Sequence, residues 1–307
     1  MEYTVTNKKG RELCKLKLRN GATIYELKKA FREAKPQHKK YEPRRQRWTW
    51  NVAGEKRVLR GDDEQTLASV GVSPEYALIF KDLGAQISWR SVFIIEYLGP
   101  ILIHLLFYLL PTLFYSAEDL AQAPEKTPFQ TLCLWMVVMH FLKREFETLF
   151  VHRFSNASMG YYFLVKNCSH YWLLSGVFLA YPLYHPLYTQ PIEFESLLYI
   201  GLPLFVLFEI GNFSAHITLR NLRPPGSKKK GIPRGGLFEL VTCANYTYEL
   251  AAWMVFAVCT QMVTAYFFWI VAFGQMQVWA LKKHAGMKKL FGSKYPKVRN
   301  SMVPFVI

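Results

Sequence analysis

Four apolar stretches, Ser91 to Phe114, Pro128 to Val151, Tyr161 to Tyr184 and Leu197 to Leu219, constrain this 307-residue chain more than any other feature. Each is long enough to cross a hydrocarbon core, which takes roughly 20 residues of helix. A fifth, Leu250 to Leu281, is long enough to cross twice if the chain turns near Thr260 to Thr264. Six spans follow, so the expected fold is a multi-pass α-helical membrane protein. Composition agrees: 51% of residues are hydrophobic and 16% aromatic, yet the formal net charge is +16, as apolar spans joined by basic loops would give.

The charges also orient the spans. The connections Ser116 to Thr127 and His185 to Ser196 hold acids and only one lysine, whereas Lys143, Arg144 and Arg153, Arg220 through Arg234, and Lys282 through Arg299 fall on the other side. Positive loops face the cytosol, so both termini are expected there. The beginning, MEYTVTNKKGREL, has no apolar core and no cleavage site, so no removable signal peptide is expected. Cys14, Cys133, Cys168, Cys243 and Cys259 form neither a CxxC pair nor a cluster with histidine, which points away from a disulfide framework and from a metal site. The sequons at Asn156, Asn167, Asn212 and Asn245 fall in spans or on the cytosolic side and are expected to be fortuitous.

Residues 1–82 read as a separate unit, with 83–307 as the membrane part. Cys14, Leu16 and Leu18 alternate with basic residues after a turn at Asn7 to Gly10, which predicts a β-hairpin. Thr23 to Glu26 spells a capping box, and Ile24, Leu27 and Phe31 then recur at helical spacing until Pro36. Arg47 to Val52 and Tyr76 to Phe80 supply two more strands, giving the order ββαββ. That order and length resemble a ubiquitin-like β-grasp. Lys28, Lys29, Lys39, Lys40, Arg44 and Arg45 make the unit basic. A solvated face is the simplest reading of them; beside membrane spans an anionic lipid surface is a better partner than nucleic acid.

The membrane part carries more polar groups than an anchor needs. Gln86, Glu96, Lys143, Glu145, Glu147, Glu209, Asn212, His216, Asn245 and Glu249 lie in or beside apolar segments, where ionisable residues face a cavity or a partner. Lys143 and Glu147, four apart, are expected to form an intrahelical ion pair. In "CANYTYELAAW" a helix beginning near Ala244 places Asn245 and Glu249 on one face, with Tyr246 and Tyr248 flanking it on opposite sides.

"KDLGAQISWRSVFIIEYLGP", "HFLKREFETLFVHRFS", "GNFSAHITLRNLRPPGSKKKGIPRGGLFELVTCANYTYELAAW" and "KYPKVRNSMVPFVI" resemble the very-long-chain trans-2-enoyl-CoA reductases of the endoplasmic reticulum, over the whole chain. These belong to the wider steroid 5α-reductase family, with its Asn-aromatic-x-x-Glu and Tyr-Pro-Lys pattern. The resemblance implies NADPH-dependent reduction of a trans-2-enoyl-CoA to the saturated acyl-CoA, the last step of a fatty-acid elongation cycle. It also implies an endoplasmic reticulum location beside the elongase, the ketoacyl-CoA reductase and the hydroxyacyl-CoA dehydratase. Gln86 and Glu96 match the branch motif at the substrate end. Asn212, Arg220, Arg223, Asn245, Glu249 and Tyr295 become cofactor candidates, together with Lys143 and Arg144.

No GxGxxG follows a strand and no Walker loop is present, so arginines must hold the cofactor phosphates. Arg220 and Arg223 are preferred to Lys228, Lys229 and Lys230, which also serve as a positive-inside signal. A phenol can polarise the thioester carbonyl or protonate the α-carbon; Tyr246, directly after Asn245, is the preferred acid and Tyr248 the alternative. The steroid enzymes carry an acid where His216 stands and a tyrosine where Phe141 stands, so their carbonyl mechanism does not transfer. Two other readings compete: a 3-oxosteroid reductase, and a non-enzymatic membrane adaptor whose polar residues only lock helices together.

Overall fold

The structure, a computed structural model, describes residues 1–59, 61–123, 125–154, 158–224 and 231–306. These fall into two compact units, one made of Met1–Ser88 with Ser158–Phe163, the other of Trp89–Ala157 with Leu164–Ile307.

In the first unit β1 (Glu2–Thr6) and β2 (Glu12–Lys17) pair antiparallel, as the alternation predicts. Asn7 Oδ1 accepts from the amides of Lys9 and Arg11, which closes the turn, and Gly10 takes the left-handed conformation it needs at φ 81°. The capping box forms at the start of α1 (Ile24–Glu33): the Glu26 amide donates to Thr23 Oγ1 at 3.2 Å, and the Thr23 amide to Glu26 Oε2 at 2.8 Å. Ile24, Leu27 and Phe31 are buried with Trp48 and Phe80 in one core. The strands β3 (Gln46–Val52), β4 (Glu55–Val58) and β5 (Leu78–Asp82) complete a sheet of order β2-β1-β5-β3-β4, with β1 and β5 parallel.

The order is therefore ββαβββ, which corrects ββαββ. The missed strand, Glu-Lys-Arg-Val, is an edge with no buried residue and so no alternation to read. It is made by the turn at Ala53 and Gly54, both at positive φ. Arg45 Nη2 lies 2.7 Å from Asp82 Oδ2, and that hydrogen bond holds the Asp82 carboxyl below its ordinary range. The contact therefore stabilises the sheet above the carboxyl's unfolded range and is lost as pH falls through its lowered folded value. The strands β6 (Gln86–Ser88) and β7 (Ser158–Gly160) form a separate antiparallel pair.

The second unit is helical. It runs through α2 (Trp89–Leu109), the short α3 (Ala117–Gln122), and α4 (Pro128–Phe146) with a π-helical turn Glu147–Val151. Next come α5 (Tyr162–Cys168), of which Leu164 onward belongs to this unit, π-helical Ser169–Val177 and α6 (Phe178–Leu183), then α7 (Phe194–Ser196), π-helical Leu197–Gly201 and α8 (Leu202–Asn221). The last two are α9 (Ala244–Thr260) and α10 (Val263–Phe291). Among the described residues three helices are long and apolar enough to cross a membrane: Trp89–Leu109, Phe194–Asn221 and Val263–Lys294, with mean hydropathy 2.0, 1.6 and 1.2. The other stretches read as spans are helical too, but α4 ends in Lys143, Arg144 and Glu145, and α9 has only 17 residues. The chain breaks between α9 and α10 at Gln261, left-handed at φ 50°, within the turn expected near Thr260 to Thr264.

Buried Phe129, Val137, Phe141, Leu179, Phe256 and Ala257 anchor the helical core. His104 on α2 is fully buried, with Nδ1 2.7 Å from the Tyr184 hydroxyl and Nε2 2.9 Å from the Ser175 carbonyl. Each ring nitrogen thus has a partner, as a buried imidazole requires. One turn earlier the Trp172 indole seats on Gly99 and donates to the Ile95 carbonyl at 3.1 Å. A Cβ on Gly99 would collide with that ring. We therefore expect Gly99→Val to destabilise the bundle by about 1–3 kcal/mol through overpacking. A thermal-unfolding midpoint in detergent equal to that of the parent chain would show that the indole does not rest there.

Candidate active site

The site begins with one face of α4. His140, Lys143, Arg144 and Glu147 stand at positions i, i+3, i+4 and i+7, so their side chains project the same way. Facing them, α8 presents Glu209, Asn212 and His216 at i, i+3 and i+7, and α9 presents Glu249. His140 has Nδ1 2.7 Å from Glu209 and Nε2 3.4 Å from Glu249, so both ring nitrogens meet a carboxylate. Lys143 pairs with Glu209 at 2.7 Å and donates to Asn212 Oδ1 at 2.5 Å; the expected pair with Glu147 is present at 3.7 Å.

Arg144 is the hub. Nη1 donates to Glu147 Oε2 at 2.6 Å and to His216 Nε2 at 3.0 Å, while Nη2 donates to the Tyr97 hydroxyl of α2 at 2.8 Å. Because a guanidinium only donates, His216 Nε2 must accept. Its Nδ1 then carries the hydrogen, directed at His152 Nε2 3.1 Å away. Asn212 Nδ2 donates to the Asn245 carbonyl at 2.8 Å and to Glu249 Oε2 at 3.0 Å, locking α8 to α9. Arg144 Nε and Glu147 Oε1 are buried with no hydrogen-bond partner among the described residues. Glu147, His152 and His216 bring ligand-type atoms within 4.8 Å of one another. The Arg144 guanidinium lies against two of these groups and opposes a metal cation there.

The network thus gathers Lys143, Arg144, Asn212, Asn245 and Glu249 of the sequence-derived candidates. Glu96 is buried on α2, with Oε2 unpartnered and the amide of Asn167 facing it. Gln86 belongs to the first unit, where its Oε1 accepts from Ser158 Oγ at 3.3 Å. The two phenols of α9 do part to opposite sides. Tyr246 meets Lys283 of α10, whose Nζ donates to the hydroxyl at 2.6 Å. Tyr248 lies on Gly211, where a Cβ would come within 2.6 Å of its ring. It lines a cavity of about 600 Å³ with Leu207, Ser214, Thr218 and Arg234. Tyr295 is buried, its hydroxyl 2.7 Å from Thr242 Oγ1, beside the start of α9.

Arg220 in the last turn of α8 and Arg223 two residues past its end are half-buried beside Arg153: Arg153 donates to the Arg220 carbonyl at 3.2 Å, and Arg223 to the Arg153 carbonyl at 3.3 Å. Three guanidinium groups at one helix end suit phosphate oxygens, so the residues present fit a dinucleotide cofactor. Lys228, Lys229 and Lys230, and the sequon Asn156, lie outside the described residues. Sequence reasoning missed His140, His152, Tyr97 and Lys283. His140 was open to detection, because it continues the Lys143, Arg144, Glu147 face one turn back; Tyr97 and Lys283 carry no such signal.

Comparison with known proteins decides the family. A family model described as 3-oxo-5-alpha-steroid 4-dehydrogenase matches residues 157–307. The chain is 44% identical over 245 residues to the very-long-chain enoyl-CoA reductase of Dictyostelium discoideum, covering 80% of this chain and 79% of that one. The chain belongs to the very-long-chain enoyl-CoA reductase family. It is also similar to the trans-2,3-enoyl-CoA reductase-like proteins of Mus musculus, 33% identical over 296 residues (95% and 79% of the two chains), and Homo sapiens, 32% over 303 residues (97% and 81%).

Within this family member the Arg144–Glu147 pair is the part whose loss should cost most. Removing one partner leaves a buried uncompensated charge, which typically costs about 3–5 kcal/mol. Arg144→Met should therefore lower the thermal midpoint sharply, and Arg144→Met with Glu147→Met should recover part of the loss. Equal midpoints for the single and double variants would show that the two groups are not coupled.

Proposed function

We propose that the chain reduces the double bond of a long-chain trans-2-enoyl-CoA with NADPH, the closing reaction of a fatty-acid elongation cycle, and that Tyr246 is the proton donor. The observation that carries the reading is the Asn212–Asn245–Glu249 lock between α8 and α9: it fixes the first turn of α9 and with it Tyr246, one residue beyond Asn245. When bound, NADPH supplies the hydride for the β-carbon. Every other part of the chemistry falls to side chains of the chain itself. A donor must meet the thioester oxygen as enolate charge develops, and Glu96 is the candidate for the substrate end. An acid must deliver a proton to the α-carbon, which a phenol in hydrogen-bond reach can do. Asn212, Asn245, Glu249, Lys143 and Arg144 would hold the nicotinamide end, and Arg220, Arg223 and Tyr295 the phosphate-bearing end.

The same reading takes the helical stretches as six spans in the endoplasmic reticulum membrane, with both termini cytosolic and residues 1–82 as a ubiquitin-like domain beside the other elongation enzymes. The match of residues 157–307 to the steroid model favours a steroid enone as the second substrate class. Against it, Phe141 is buried against Tyr97, His140 and Trp253 and offers no hydroxyl to a ketone oxygen.

Purified full-length protein is expected to oxidise NADPH only when a long-chain trans-2-enoyl-CoA is added, and to ignore a 3-oxo-4-ene steroid. Tyr246→Phe should lose on the order of a hundredfold or more in kcat with the KM for NADPH nearly unchanged. Normal turnover in that variant, with loss in Tyr248→Phe, would transfer the role to Tyr248. Arg223→Met should raise the KM for NADPH, and the enzyme should prefer NADPH to NADH; indifference to the extra phosphate would remove the arginines from this role.

A further inference from the structure

Tyr246 leaves α9 on the side of α10. Lys283 Nζ donates to its hydroxyl at 2.6 Å and also lies 4.3 Å from the ring centroid, and the Trp279 ring, one turn earlier on α10, flanks it at 6.5 Å. The other cations of the site, Lys143 and Arg144, each have a carboxylate. Lys283 has no carboxylate partner among the described residues; Cys243 and the cationic Arg223 are the other titratable groups acting on it. An ammonium placed only to mark the cytosolic end of a span needs no phenol, and one placed to lock helices would be satisfied by an acid.

We propose that Lys283 is a positioning residue for the proton donor: it orients the Tyr246 hydroxyl and stabilises the phenolate that the reaction leaves behind. This rests on the reading of Tyr246 as the acid. The ammonium hydrogen occupies one lone pair of the phenol oxygen, so the phenol's own hydrogen turns away from Lys283 and is free to point at a substrate. As the O–H bond breaks, its electron pair stays on oxygen and the enolate pair takes the proton to form the α-carbon C–H bond. The new negative charge then lies at hydrogen-bond distance from a positive one. Charge-assisted hydrogen bonds are stronger than neutral ones, so the stabilisation grows as the proton departs, which is what lowers a barrier. The phenolate then takes its replacement proton from water, while the ammonium stays charged beside it. Among the described residues Tyr248 has no such partner; its ring rests on Gly211.

The test is steady-state NADPH oxidation with a long-chain trans-2-enoyl-CoA, using the full chain and Lys283→Met, Lys283→Arg, Tyr246→Phe and the double variant Tyr246→Phe/Lys283→Met. Lys283→Met is expected to lower kcat by about tenfold or more with the KM for NADPH within about twofold, and Lys283→Arg to keep most of the rate. In the Tyr246→Phe background, removing the lysine should cost no further rate, because its effect is exerted only through the phenol oxygen. Three results would overturn the inference: a normal kcat in Lys283→Met while Tyr246→Phe is inactive; a raised KM for NADPH with kcat unchanged, which makes the lysine a phosphate contact; or fully additive losses in the double variant. Normal turnover in Tyr246→Phe would instead remove the reading of Tyr246, and this inference with it. Lys283 is exposed, so the thermal midpoints of its variants should match the parent and separate these outcomes from misfolding.

Discussion

A guanidinium cannot be left alone in an apolar helix bundle, and the second unit is organised around that constraint. Arg144 is only 9% exposed and is charged at any accessible pH. Its desolvation has to be offset by an anion and by acceptors for its hydrogens. Glu147 supplies the anion one turn on, and Tyr97 and His216 supply acceptors from two other helices. Three helices are thereby held in register by one side chain. A bundle packed only with leucine and phenylalanine would be at least as stable but would slide more freely, since apolar contacts carry little directional information.

The same constraint propagates outward. Lys143, next to Arg144, recruits Glu209 and Asn212; Asn212 spends its amide hydrogens on α9, and this fixes the first turn of that helix. Once the azimuth of α9 is fixed, its two phenols have no freedom. Tyr246 faces the cationic end of α10, and Tyr248 is pressed on Gly211 over a mainly apolar cavity. Two identical side chains two residues apart thus occupy different chemical surroundings. The backbone accounts for that difference, which argues for unequal roles more strongly than motif position does.

Much of the fold was legible because local signals and burial agree. The capping box at Thr23 and Glu26, the β1–β2 hairpin and the break at Gln261 each have a residue-level cause visible in the chain. The edge strand β4 was not legible, because Glu55, Lys56 and Arg57 show no inward alternation. The π-helical segments were not either: hydrophobic spacing cannot tell i→i+4 from i→i+5 bonding over a few residues. In the site, the polar residues of α4, α8 and α9 announced themselves by being costly in an apolar stretch. Tyr97 and Lys283 did not, since a tyrosine amid aromatic residues and a lysine at a basic helix end are both ordinary there.

The π-helical turn at Glu147–Val151 shows how a small irregularity serves the network. The His152 amide bonds the Glu147 carbonyl at 2.7 Å, five residues back, which widens the last turn of α4 by one residue. Glu147 keeps its place on the His140–Lys143–Arg144 face, while the widened turn carries the next residues round so that the His152 ring meets His216 at 3.1 Å. A regular α-turn would advance each residue by about 100° and carry His152 to a different azimuth. The irregular turn therefore lets one helix contribute to both ends of the polar chain, from His140 at Glu249 to His152 at His216, a reach that one regular α-helical face with its 3.6-residue repeat does not provide.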